Sequence, residues 1–260
     1  MKEPVLEVRG LTKSYVKNKS TVRAVDSVDL EIMPGESLGL VGESGCGKST
    51  LAKLITRLEE SDSGQIFLEG KEITNLKGKE LRKRYGTMQM VFQDAVSSFN
   101  RRMTIGESIL EFLSNFTKLT SLQRQARMFS LLEMVGLKGE YARRYPHQLS
   151  GGECQRGAIA RAIAVEPKLL ICDEATSALD VSVQAQILSI LEKLRQEMNL
   201  SLLFISHDLA LVSCFCQCIA VMSEGRIVEI GKTKDIVYAP KHPYTQSLLD
   251  SVLPLHVKAE

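Results

Sequence analysis

Three short stretches carry residue types suited to binding and cleaving phosphate esters. Gly42-Glu43-Ser44-Gly45-Cys46-Gly47-Lys48-Ser49, followed by Thr50, fits G-x-x-x-x-G-K and then Ser or Thr. Glycines at those places let successive backbone N–H groups turn inward around phosphate oxygens, aided by the positive end of the following helix. Lys48 supplies a point charge to the β- and γ-phosphates of a nucleotide, and the Ser49 hydroxyl is a hard ligand for Mg2+. A chance glycine loop before a helix is the bland alternative. Lys-Ser in register, with a strand before it and a helix after it, argues against that.

The second stretch is Leu169-Leu170-Ile171-Cys172-Asp173-Glu174, an apolar run ending in two acids. Burial of the run brings both carboxylates out at the strand tip, beside the phosphate loop. Asp173 is expected to hold the hydrated Mg2+. Glu174 is expected to polarise an attacking water, because phosphoryl transfer needs a positioned nucleophile more than covalent help. Alone, Asp-Glu would read as a solvated strand end; the upstream loop changes that balance. The third stretch is His207, again at the end of an apolar run, with Asp208 next to it. A lone histidine is usually structural, but at a strand tip it can hydrogen-bond a γ-phosphate or the water. Gln93, after Met90-Val91-Phe92, can offer its carbonyl to Mg2+ or water.

These residues need strands that end at one edge. Leu38 to Val41, Leu169 to Cys172 and Leu202 to Ile205 read as buried parallel strands, each followed by polar or glycine-rich residues. A helix after Ser49 places Leu51, Leu54, Ile55 and Leu58 on one face. Another, near Gln186 to Arg195, does the same with Ile187, Ile190, Leu191 and Leu194. Val5 to Val8, Val28 to Ile32 and Gln65 to Leu68 read as a smaller antiparallel β-layer. Ile219 to Met222 and Arg226 to Ile230 flank Ser-Glu-Gly as a hairpin. Asp94 to Val165 is helical in pattern. From Ala239 onward a turn and a short helix are expected.

Composition sets the outer limits. With 260 residues, 44% hydrophobic and 25% charged, one α/β domain with a subdomain fits. A formal charge of +2 offers no electrostatic argument for a nucleic-acid partner. The longest apolar candidate, Leu211 to Met222, is too short to span a bilayer. The N-terminal residues lack the layout of a secretory signal, so a cytosolic location is expected. Cys46, Cys154 and Cys172 lie inside the nucleotide motifs, which disfavours a disulfide framework. Cys214, Cys216 and Cys218 could suggest a soft metal site. On a helix, however, Cys214 and Cys218 share a face that Cys216 does not, and packing is the favoured reading.

Leu149-Ser150-Gly151-Gly152-Glu153-Cys154-Gln155-Arg156 resembles the signature of ABC ATPases, LSGGQ, with Glu at position 153. Ser-Gly-Gly opening a helix is itself a place where an anion can approach backbone and dipole. The chain is similar to the ABC family over nearly its whole length. Tyr15 matches the aromatic that stacks on adenine, Gln93 the Q-loop, Ser177-Ala178-Leu179-Asp180 the D-loop and His207 the switch histidine. The resemblance implies a P-loop ATPase core with an N-terminal antiparallel β-layer and a helical, signature-bearing subdomain, in a single domain over 1–260. The insertion would be 94–165 and the tail 239–260. It also implies ATP and Mg2+ as ligands, and a head-to-tail dimer in which Ser150, Gly151 and Gly152 cover the nucleotide of the opposite subunit.

Val41-Gly42-Glu43-Ser44-Gly45, Val91-Phe92-Gln93-Asp94, Asp180-Val181-Ser182-Val183-Gln184 and His242-Pro243-Tyr244-Thr245 are similar to the oligopeptide, dipeptide and nickel importer group. Ala95 and Arg101 stand where that group carries proline. The resemblance implies an importer ATPase at the cytoplasmic face of the membrane. Its partners would be permease subunits, a second and different ATPase subunit, and an extracytoplasmic solute-binding protein. A tail shorter than in many peptide importers leans the cargo toward nickel or a metal chelate. A soluble ABC ATPase of DNA repair or translation is the rival. A P-loop small-molecule kinase would leave Ser150-Gly151-Gly152 unexplained.

Overall fold

The computed structural model describes residues 3–17, 20–176 and 179–252. The first elements are β1 (Leu6–Lys17), β2 (Ser20–Ile32), β3 (Ser37–Val41), α1 (Lys48–Ile55), β4 (Ser63–Leu68), β5 (Lys71–Glu72) and α2 (Gly78–Arg84). Next come β6 (Met88–Val91), α3 (Ile105–Phe116), α4 (Ser121–Met134), α5 (Gly151–Ile163), β7 (Leu169–Asp173) and α6 (Val181–Met198). The chain closes with β8 (Ser201–Ile205), α7 (Leu209–Phe215), β9 (Cys218–Ser223), β10 (Arg226–Lys232), α8 (Thr233–Tyr238) and α9 (Pro243–Val252). Two compact units result: Met1–Leu81 with Ser201–Glu260, and Arg82–Leu200.

In the first unit β2, β1, β4 and β5 form an antiparallel sheet in that order. Leu6 faces Ile32 and Val8 faces Leu30 across the first pair, and all four side chains are buried. The β-layer thus forms from the alternation of apolar residues, as expected. The second sheet of this unit runs β10, β9, β3, β8, with β3 parallel to both β9 and β8. Every residue of β3 and β8 is buried, which explains their continuous apolar runs. The β9–β10 hairpin turns through Glu224 and Gly225, both at positive φ (47° and 82°), the requirement of a type I′ turn.

Two expectations fail here. Leu58 is 55% exposed, because α1 ends at Ile55: the Thr56 hydroxyl donates to Ala52 O at 2.8 Å, and Arg57 turns left-handed. The three late cysteines do not share a helix either. Helix α7 stops at Phe215, Cys216 is extended, and Cys218 opens β9. The break comes where Gln217 N–H donates to Ser37 O at 3.0 Å, drawing the chain into the sheet. Cys216 is buried, its thiol facing Gly39 of β3.

In the second unit β6 and β7 pair in parallel, Val91 against Cys172. Among its described residues, 94–165 hold helices and short 3-10 turns and no strand. Reciprocal capping boxes start α3 (Thr104 with Glu107), α4 (Thr120 with Gln123) and α5 (Ser150 with Glu153). Arg161 of α5 is half-buried. Its guanidinium lies 4.2 Å from the Phe99 ring centre and donates to Ser98 O and Oγ at 2.8 and 3.0 Å. Ala95 is buried, and Asp94 Oδ1 accepts the Ser97 N–H at 3.1 Å, closing the turn without proline.

Candidate nucleotide site

The phosphate loop lies in the first unit, between buried β3 and α1. Helix α1 begins at Lys48, and Gly47 caps it with backbone alone at φ 113°. A Cβ at Gly47 would stand 2.1 Å from Ala24 O, so only glycine fits. Lys48 is buried, and its Nζ donates to Gly42 O and Glu43 O at 2.7 Å each. The ammonium therefore already braces the loop it would share with a phosphate. Two contacts from outside the motif hold the rest. Gly225 N–H of the β9–β10 turn donates to Cys46 O at 2.9 Å, and Glu43 N–H donates to the Tyr244 hydroxyl at 3.1 Å.

Tyr15 belongs to the same unit. Its hydroxyl donates to Glu59 Oε1 at 2.6 Å and meets the Thr50 side chain, so the ring stands at the first turn of α1. Burial, then the Glu59 bond, raises the phenol pKa. The residue keeps 38% of its surface open. His207 follows β8 and is exposed, in a turn set by Ser206 Oγ accepting Asp208 N–H at 3.0 Å. Asp208 caps α7 through the Leu211 N–H, also at 3.0 Å.

The carboxylates lie in the second unit. Asp173 ends β7 and is buried; Glu174 follows in the left-handed region at φ 46°. That conformation is uncommon for a residue with a Cβ and tends to cluster at functional sites. Gln93, 81 positions earlier, donates through Nε2 to Glu174 Oε2 at 3.0 Å. Two residues read separately from the sequence are thus one hydrogen-bonded pair. Gln184 Nε2 steadies the segment after Glu174 by donating to Thr176 O and Leu179 O at 2.9 and 3.2 Å. Ser177 and Ala178 of the expected D-loop lie outside the described residues. Burial pushes the Cys172 thiol up to about 12 and Cys154 up to about 11, so neither serves as a nucleophile.

The signature segment opens α5. Ser150 Oγ accepts the Glu153 N–H at 3.3 Å, while Glu153 Oε2 accepts the Ser150 N–H at 2.9 Å and its Oε1 accepts the Tyr141 hydroxyl at 2.6 Å. The Tyr141 bond, then the Ser150 N–H, holds the Glu153 carboxyl below its ordinary value. Gly152 is explained by packing as well, since a Cβ there would come within 2.4 Å of Val183 Cγ1.

The residues present fit a nucleoside triphosphate with Mg2+. Backbone N–H groups at a helix start without a side-chain cap, together with a buried lysine, suit polyphosphate in the first unit; Ser49 there and Asp173 in the second unit are each hard oxygen donors. Sequence reasoning did not find the grips on the loop from Gly225 and Tyr244, nor Glu59 and Gln184. Tyr244 and Gln184 had a visible signal, the His242-Pro243-Tyr244-Thr245 and Asp180-Val181-Ser182-Val183-Gln184 motifs.

A glycine loop that ends a buried parallel strand, opens a helix and encloses a buried lysine defines an α/β protein of the P-loop class. Residues 25–177 match the ABC transporter family, and residues 228–260 match the oligopeptide/dipeptide transporter C-terminal region. A probable peptide ABC transporter ATP-binding protein of Sinorhizobium fredii is 49% identical over 96% of this chain and 72% of its own length. The oligopeptide transport ATP-binding protein OppF of Bacillus subtilis is 46% identical over 98% and 84%. The glutathione import ATP-binding protein GsiA of Pectobacterium atrosepticum is 45% identical over 96% of this chain but 41% of its own. An ATP-binding cassette solved as a dimer with ADP and Pi superposes with a TM-score of 0.80 at 29% identity, covering 88% of this chain and 98% of that one. The chain belongs to the ABC transporter family, in its oligopeptide/dipeptide group. It is the ATP-binding subunit of an importer, an ATPase coupled to transport. Among the described residues no helix is long and apolar enough to cross a membrane.

Proposed function

We propose that this chain hydrolyses Mg·ATP to drive import of short peptides. The observation that carries the cargo is the match of residues 228–260 to the oligopeptide/dipeptide C-terminal region. Relatives named for peptide and glutathione import agree with it. That match supports peptide over nickel, toward which the short tail leaned. Nickel chelate stays as the competing cargo.

In this reading residues 1–260 act as one ATPase domain, with 94–165 as its helical insertion and 239–260 as its tail. Tyr15 stacks on adenine. The loop from Gly42 through Glu43, Ser44, Gly45, Cys46, Gly47, Lys48 and Ser49 to Thr50 holds the phosphates. Mg2+ would neutralise charge on the β- and γ-phosphates, with Ser49, Asp173 and Gln93 as its candidate ligands. Glu174 orients the attacking water and accepts its proton, with Gln93 restraining the carboxylate. His207 hydrogen-bonds the γ-phosphate. Ser150, Gly151 and Gly152 cover the nucleotide of a second, related ATPase subunit. Both subunits sit peripherally on permease subunits at the cytoplasmic face, and an extracytoplasmic binding protein delivers cargo.

Reconstitution with the permease, binding protein and second ATPase in vesicles tests this. ATP-dependent uptake of labelled di- to pentapeptides, with no uptake of labelled nickel chelate, is expected. Nickel uptake without peptide uptake would overturn the cargo.

A further inference from the structure

We propose that Tyr244 is a positioning residue for the phosphate loop, clamping the peptide plane between Gly42 and Glu43 through its hydroxyl. The inference rests on the phosphate-binding reading of that loop. Gly42 C=O and Glu43 N–H are the two ends of one rigid peptide unit. The carbonyl end accepts Lys48 Nζ at 2.7 Å, and the N–H end donates to the Tyr244 hydroxyl at 3.1 Å. A flip of this plane would break both bonds together. It would also aim the N–H at the Lys48 ammonium and the carbonyl at the Tyr244 hydroxyl, setting donor against donor at the lysine.

The tyrosine is held in place from several directions. Glu229 of β10 accepts the Lys241 N–H on Oε1 at 2.8 Å and the His242 N–H on Oε2 at 3.0 Å. A carboxylate at a helix start is favoured by the exposed N–H groups there. His242 Nδ1 accepts the Tyr244 N–H at 3.2 Å, and Thr245 and Leu249 bury the inner face of α9. The Tyr244 hydroxyl also meets the Ser223 side chain. Met222, next to Ser223, packs against the loop as well: a Cβ at Gly42 would stand 2.1 Å from Met222 O. The His242-Pro243-Tyr244-Thr245 motif thus delivers one hydroxyl to the Glu43 N–H, with Glu229 as its anchor. Phenylalanine would keep the packing and lose the hydroxyl, with its contacts to the Glu43 N–H and the Ser223 side chain.

The test uses the full chain and fluorescent mant-ATP. Tyr244→Phe should weaken binding about 3- to 10-fold, the range for losing one hydrogen bond. The amide resonance of Glu43 should shift in a 15N spectrum, and thermal unfolding should change little. In the assembled importer KM for ATP should rise by the same factor with kcat unchanged, because the lost contact serves ground state and transition state alike. Glu229→Gln, which loosens the anchor and leaves Tyr244 in place, should give a smaller weakening in the same direction. Tyr238→Phe, on exposed α8, should have no effect.

Unchanged affinity and an unchanged Glu43 resonance in Tyr244→Phe would overturn the proposal, as would equal weakening by Tyr238→Phe. Should Tyr244→Phe not fold, wild-type affinity in Glu229→Gln would overturn it. Lys48→Ala separates the two layers. If it loses mant-ATP binding while Tyr244→Phe does not, only the Tyr244 clamp falls; if it binds normally, the phosphate-loop reading falls.

Discussion

Gly47→Ala and Gly45→Ala separate two costs that the phosphate loop combines. Both glycines have positive φ, 113° at Gly47 and 84° at Gly45. Left-handed backbone costs a residue with a Cβ roughly 1–2 kcal/mol. At Gly45 that is the whole penalty, because an added Cβ meets no atom within 4 Å. At Gly47 the Cβ would lie 2.1 Å from Ala24 O and 2.8 Å from Met222 Cε. The Met222 side chain can move; the Ala24 carbonyl belongs to β2 and cannot move without disturbing the sheet. Overpacking of this kind adds about 1–3 kcal/mol. Gly47→Ala should therefore cost roughly 2–5 kcal/mol and Gly45→Ala about 1–2 kcal/mol. At about 2–4 °C per kcal/mol for a chain of this size, the melting temperature should fall by roughly 7–14 °C for a mid-range Gly47→Ala and by about 2–8 °C for Gly45→Ala. Thermal unfolding followed by circular dichroism measures both. Equal shifts would refute the steric part of the reasoning, and a Gly47→Ala variant as stable as wild type would refute all of it.

Tyr15→Ala should raise the dissociation constant for ATP about 5-fold, a stacking contact of about 1 kcal/mol, and Tyr15→Phe much less. Equal affinities for all three proteins would reduce the ring to packing. Arg161→Ala should lower stability by about 2–4 kcal/mol through loss of its charged hydrogen bonds to Ser98 and its contact with Phe99. Chemical denaturation checks this, and a loss below about 1 kcal/mol would contradict the burial argument. The Glu153 carboxyl is held below its ordinary 4.5 by Tyr141 and Ser150, so its contribution is complete above that value and fades as pH falls through the lower folded value. Glu153→Gln should flatten the acid limb of stability against pH, and parallel limbs for variant and wild type would exclude the linkage.

What was legible in the sequence was local. The apolar runs at Leu38, Leu169 and Leu202 show their strands because those strands are buried throughout. The glycine loop shows itself because phosphate chemistry restricts residue types at fixed spacing. What escaped depends on partners far along the chain. Helix α7 ends before Cys216 because Gln217 bonds to Ser37, 180 positions away, and periodicity carries no trace of that. Leu58 kept the helical spacing after the Thr56 hydroxyl had already closed α1. Gln93 and Glu174 were each visible as candidates, but their hydrogen bond appears only once β6 and β7 pair. Glu153, read as a substitution within the signature, acts locally as a helix cap whose carboxylate also receives Tyr141.

The central claim is that Glu174, with Gln93 on its carboxylate, performs hydrolysis on a nucleotide held by the loop around Lys48. ATP affinity and steady-state turnover of Glu174→Gln, measured in the assembled importer, test it most directly. Affinity should match wild type while turnover falls at least about 100-fold, the scale of losing a positioned base. Lys48→Ala, in the same assay, should lose affinity first. A Glu174→Gln variant that turns over ATP at the wild-type rate would contradict the account.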